Sequence, residues 1–110
     1  MKALLWHRKA KETISNFPDS VKKEIGFLFY RLQMGDHLTM PHASPMRSVA
    51  VGVHEVRVRG EDGIYRVFYF TKHEMGIFVF HAFIKKTQKT PIEEILKGKQ
   101  RLNELLEELK

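Results

Sequence analysis

Residues 53–84 most constrain what this chain can fold into. Three β-forming runs follow one another there with only short turns between them. In residues 53–59, Val56 and Val58 alternate with Glu55, Arg57 and Arg59, the two-residue period of a half-buried strand. Gly60-Glu61-Asp62-Gly63 reads as a turn. Residues 64–71 (IYRVFYFT) are rich in β-branched and aromatic side chains. Residues 72–75 read as a second turn, and residues 76–84 (GIFVFHAFI) as a third strand. Such short turns join antiparallel neighbours, so the segment predicts a three-stranded meander.

The flanks add helices. Residues 2–8 read as a short strand containing Leu5 and Trp6, and residues 9–16 as one or two helical turns. Pro18 and Asp19 suit the start of a helix. Val21, Ile25, Leu28, Phe29 and Leu32 follow at helical spacing, and Gly35 fits the position just past its end. From Asp36 to Gly52 the pattern dissolves around Pro41 and Pro45, which predicts a loop of roughly 15 residues, long enough to suggest function or mobility. Thr90 as N-cap, Pro91 at N1 and Glu93 at N3 predict a capping box. The helix after it carries Ile92, Ile95, Leu96, Leu102, Leu105, Leu106 and Leu109, with Gly98 and Lys99 interrupting the stripe. The order β-α-α-β-β-β-α predicts an α+β domain, an antiparallel sheet with its helices packed on one face.

Composition bounds the function. A chain of 110 residues is the size of one domain, 1–110, and buries roughly 65% of its unfolded surface. With no cysteine, disulfides and thiolate metal sites are excluded. No spacing of histidines resembles a metal site, and no glycine-rich phosphate loop is present, so neither metal nor cofactor is expected. No apolar run approaches the length of a membrane span, and the N-terminus lacks the pattern of a signal peptide, so a cytoplasmic protein is expected. Nineteen Lys and Arg against thirteen Asp and Glu give a net charge of +6, which favours an anionic partner. Residues 92–110 hold four basic and five acidic side chains, so the excess lies before the last helix.

Strand parity sharpens this. If residues 60–63 close a tight hairpin, Arg57 faces Arg66, Arg59 faces Ile64 and Glu55 faces Phe68. If Thr71 stands opposite Gly76 across the next turn, Arg66 faces His81. Arg57, Arg66 and His81 then form a row over three strands, flanked by Glu55 and Arg59, with Lys85 beyond the strand end. The opposite face holds Val56, Val58, Tyr65, Val67, Tyr69, Phe78, Phe80 and Ala82, which reads as the core face. Like charges directly opposite destabilise a sheet, so the arginine pair makes sense if an anion such as phosphate sits between them. The competing reading has Glu55 neutralise Arg57 while the rest is solvated surface. Lys85, Lys86 and Lys89 precede a helix N-terminus and strengthen the field there for anions. Phe68 and Phe70 share the charged face by parity, either to stack bases or as core under a helix.

These residues resemble a known family. Residues 55–59 (EVRVR), 63–69 (GIYRVFY) and 81–91 (HAFIKKTQKTP) are similar to the RelE/ParE toxin superfamily, and most of all to its phage-derived, HigB-like branch. Val56 replaces that branch's usual Leu, and Ala82 its usual Gly. The resemblance implies the small RelE-like domain with an added C-terminal helix, and the toxin of a type II toxin–antitoxin pair. It implies a metal-independent endoribonuclease that cuts messenger RNA at the ribosome through 2′-hydroxyl attack, leaving a 2′,3′-cyclic phosphate. By motif position, Arg57 matches a basic catalytic residue, Arg66 the arginine on the scissile phosphate, and Lys86 a further phosphate-binding residue. Glu55 falls where RelE itself has a lysine, and the C-terminal tyrosine of some members has no counterpart. Glu55 or His81 would then take the 2′-hydroxyl proton, and Arg59, Lys85 and Lys89 would hold flanking phosphates. The partner implied is a small helix-turn-helix antitoxin in a hetero-oligomer, with ribosome and messenger RNA as targets and no membrane. Two other functions fit the same residues: a ParE-like poison of DNA gyrase, and a non-enzymatic RNA-binding module.

Overall fold

A computed structural model describes residues 1–85 and 89–110. Its elements are β1 (Leu4–Trp6), α1 (Arg8–Ser15), α2 (Asp19–Gln33), β2 (Ala43–Pro45), β3 (Val53–Gly60), β4 (Gly63–His73), β5 (Gly76–Lys85) and α3 (Ile92–Glu108). The strands form a single sheet in the order β1-β5-β4-β3-β2. The expected α+β class and meander are both present. Two strand pairings were not expected. β1 runs parallel to β5, so the sheet is mixed. β2 lies inside the expected loop and pairs antiparallel with β3.

Local chemistry explains the helix ends. His7 caps α1, its Nδ1 accepting the Lys9 N–H at 3.1 Å. α2 stops where expected: Gly35 takes φ +97°, its N–H donates to the Leu32 carbonyl at 3.1 Å, and the Asp36 N–H donates to Arg31 at 3.0 Å. That pair of bonds is a Schellman motif, and glycine adopts its left-handed backbone without a Cβ clash. The predicted capping box does not form. Pro91 is the N-cap of α3, with no side-chain cap, and Thr90 Oγ1 instead accepts from Lys85 Nζ at 3.3 Å.

The hydrophobic core lies on both faces of the sheet, which corrects the expectation of helices on one face. Ile14 of α1 and Val21, Ile25, Leu28, Phe29 and Leu32 of α2 pack on Val56, Val58, Tyr65, Val67, Tyr69 and Ala82. Leu102 and Leu105 of α3 pack on Val53, Phe68, Phe78, Phe80 and Phe83 of the other face. Phe78 and Phe80 therefore belong with α3. Between the pairs Phe68↔His81 and Tyr69↔Val79, β5 carries one extra residue, Phe80. That bulge breaks strict alternation, so Phe80 and His81 can both face α3. Phe68 and Phe80 are fully buried, each contributing about 1.5–3 kcal/mol. Gly98, an apparent gap in the apolar stripe, lets α3 lie close against the sheet: a Cβ there would lie 2.9 Å from the Phe68 ring. No helix among the described residues is long and apolar enough to cross a membrane.

Candidate functional site

The tight turn after β3 sets the first register as expected. Arg57 stands opposite Arg66, Arg59 opposite Ile64, and Glu55 opposite Phe68. The second register differs. β4 continues through Thr71 and Lys72, and the turn closes at His73↔Gly76. An opposite irregularity between Phe70 and His73 offsets the bulge at Phe80, so the register of this turn holds further along: Phe83 stands opposite Arg66, and His81 opposite Phe68. The predicted row of Arg57, Arg66 and His81 is thus broken, with His81 two pairs further along the strands.

Glu55 is the centre of what remains. Its side chain is 1% exposed, and Oε1 accepts from Arg57 Nε at 3.0 Å and from Arg66 Nη1. Arg66 is buried, whereas the Arg57 side chain is 32% exposed and donates through Nη2 to Ser44 Oγ at 3.1 Å. Glu55 Oε2 and Arg66 Nε have no hydrogen-bond partner among the described residues. Lys85 is buried beside this group as the last residue of β5, where it was expected just past the strand end. Burial lowers the Lys85 pKa first, Arg66 lowers it further, Glu55 opposes this and Arg57 adds to the lowering. Three cations therefore share one carboxylate. Glu55 does neutralise charge, as the competing reading held, but Arg66 and Lys85 are not solvated surface. Arg59 is exposed at the end of β3, and Lys89 is exposed shortly before α3. Lys86, the third predicted phosphate ligand, lies outside the described residues.

His81 belongs to a different assembly. It is buried, with Phe68 and Phe83 ring centroids 5.5 and 5.4 Å away. Arg101 Nη1 donates to its Nδ1 at 2.7 Å, and its Nε2–H donates to Glu94 Oε1 at 2.7 Å. A guanidinium can only donate, so Nδ1 is the acceptor and the ring is neutral. Burial lowers the pKa of His81; Glu94 opposes this, while Arg101 and Lys97 add to it. Sequence reasoning missed Ser44, Glu94 and Arg101 because each reaches its partner from another element, and no spacing in the chain encodes that.

Backbone pairing extends the arginine row towards β2. Beyond the last β2 pair, Ala43↔Val56, the Arg57 N–H donates to the His42 carbonyl at 2.9 Å. His42 joins Glu24, Pro41, Arg57, Arg59 and Ile64 around a cavity of about 310 Å³. A wider cleft of about 790 Å³ lies between α1 and α3, lined by His7, Glu104 and other residues, far in the sequence from the arginine cluster. A cavity with two guanidiniums, an imidazole and a carboxylate can bind an anion and move a proton.

A family model described as "Phage derived protein Gp49-like (DUF891)" matches residues 12–103. The chain belongs to this family. The family is toxin-like, of the RelE/HigB type, and the matched stretch includes the whole Glu55 cluster. No curated protein matches the chain.

Proposed function

We propose that this Gp49-like protein is the toxin of a toxin–antitoxin pair, of the HigB-like branch, and an endoribonuclease acting on messenger RNA at the ribosome. The observation that supports this most is the surplus of cations at Glu55: Arg57, Arg66 and Lys85 gather around one carboxylate, and Arg57 is open to the surface. The 2′-hydroxyl attacks the adjacent phosphate, the bond from phosphorus to the 5′-oxygen breaks, and a 2′,3′-cyclic phosphate remains. Arg57 and Arg66 stabilise the charge that grows on the phosphate oxygens. Glu55 holds the two guanidiniums in place. Lys86 binds the same phosphate, and Arg59, Lys85 and Lys89 hold its neighbours. His81, with both ring nitrogens taken, keeps α3 on the sheet. A helix-turn-helix antitoxin covering the open side of Arg57 would block the substrate.

Inducible expression in bacteria with mapping of messenger RNA 5′ ends tests this. Wild type should arrest growth and produce new ends within translated regions. Arg57→Ala, a partly exposed position, should lower cleavage by at least about 10²-fold while the purified variant stays folded. Arrest without new RNA ends would overturn the nuclease reading in favour of a gyrase poison.

A further inference from the structure

The sheet register supplies an imidazole at the end of the row opposite to the one where the meander alone would place it. β2 pairs Ser44 with Glu55 and Ala43 with Val56. One step further, the Arg57 N–H donates to the His42 carbonyl, which sets His42 opposite Arg57. Side chains opposite each other share a face. The row therefore reads His42, Arg57, Arg66, Phe83. His42 is exposed and lines the same cavity as Arg57 and Arg59, which no residue of α3 lines.

We infer that His42 takes the 2′-hydroxyl proton, an assignment that rests on the nuclease reading above. A base must lie within reach of the phosphate that the arginines hold, and imidazole changes charge near neutrality. Of the other candidates, His81 is sealed beneath α3 with both nitrogens engaged, and Glu55 is 1% exposed, its Oε1 serving two arginines and its Oε2 buried away from the cavity lining. The charged groups facing His42 are Arg57 and Arg59 from β3 and Glu24 from α2. As the 2′-oxygen bonds to phosphorus, its proton passes to a ring nitrogen of His42. The phosphorus–O5′ bond breaks, and the 5′-oxygen takes a proton from water. His42 returns its proton to the hydroxide left behind.

The test uses the purified full chain with ribosomes carrying messenger RNA, across about pH 5 to 8. Wild-type kcat should rise with pH along a one-proton limb. His42→Gln should lower kcat by about 10²–10⁴-fold, flatten that limb and leave KM nearly unchanged. Free imidazole should restore part of the rate to His42→Ala. Full kcat in His42→Gln, a loss confined to KM, or a limb that vanishes instead in Glu24→Gln would each overturn the assignment while the nuclease reading stands. A wild type that leaves ribosome-bound RNA uncut would overturn both.

Discussion

Two charged clusters lie on the same face of the sheet, and they differ in where their partners come from. Glu94 and Arg101, which clasp His81, both belong to α3, and the ring between them is neutral. One carboxylate meets one guanidinium, and the helix that supplies them covers the site. The Glu55 cluster draws its members from β3, β4 and β5, with Ser44 of β2 at its rim. Three cations meet one carboxylate there. The first cluster is a closed joint between helix and sheet. The second holds positive charge in reserve at a place where solvent reaches Arg57, and an anionic ligand can complete it. A histidine under a helix and an arginine at an edge thus serve different purposes, though both stand on one strand face.

Removing each carboxylate in turn should separate the two. Glu55→Ala leaves the buried Arg66 without the carboxylate that holds it, and we expect a loss of about 3–5 kcal/mol in urea unfolding. Glu94→Ala leaves a neutral imidazole N–H unpaired, while Arg101 keeps its bond to His81 Nδ1, so we expect about 1–3 kcal/mol. Equal losses would mean that the Glu55 cluster is as balanced as the other, and that its surplus charge is not held by this carboxylate.

Much of this was legible beforehand, for physical reasons that differ by element. The β3–β4 register followed from one tight turn, because a glycine-bounded hairpin leaves little freedom of pairing. The end of α2 followed from Gly35, where the backbone turns left-handed. The arginine pair and its carboxylate neighbour followed from parity. The bulge at Phe80 did not, since a single extra residue leaves no mark in composition, and neither did the longer β4, whose turn at His73↔Gly76 moved His81 out of the row. β2 was hidden between Pro41 and Pro45, and with it the place of His42. The side of the sheet that α3 covers depended on Phe78 and Phe80, whose parity was altered by that bulge together with the irregularity between Phe70 and His73. Gly98 read as a flaw in a helix because its reason, the Phe68 ring, is thirty positions away in the chain.

The closed cluster carries a pH signature of its own on the acid side of neutrality. Burial holds the His81 pKa below its ordinary 6.5, so the unfolded chain binds more protons than the folded one once pH falls through that value. Stability from this group is therefore complete above about pH 6.5 and is lost on acidification until the folded pKa is reached. The slope cannot exceed about 1.4 kcal/mol per pH unit, the limit for one proton. We expect His81→Gln to remove that part of the dependence in thermal unfolding between pH 7.5 and 5. An unchanged slope would show that protons enter elsewhere and that the clasp is not sealed.

The smallest effect should come from the rim of the open cluster. Ser44 Oγ accepts from Arg57 Nη2 at 3.1 Å, while the Nε of the same guanidinium is held by Glu55 at 3.0 Å. In Ser44→Ala the guanidinium keeps its carboxylate, and water can reach the released N–H. Stability should fall by no more than about 0.5–1.5 kcal/mol. RNA cleavage should fall by about tenfold or less, because Arg57 stays in the cavity but turns more freely about its outer nitrogens. A loss of stability as large as that of Glu55→Ala would mean that Ser44, not Glu55, fixes Arg57. The cluster would then be anchored at its edge, and the open side of Arg57 would be a structural seam with no free charge to offer a phosphate.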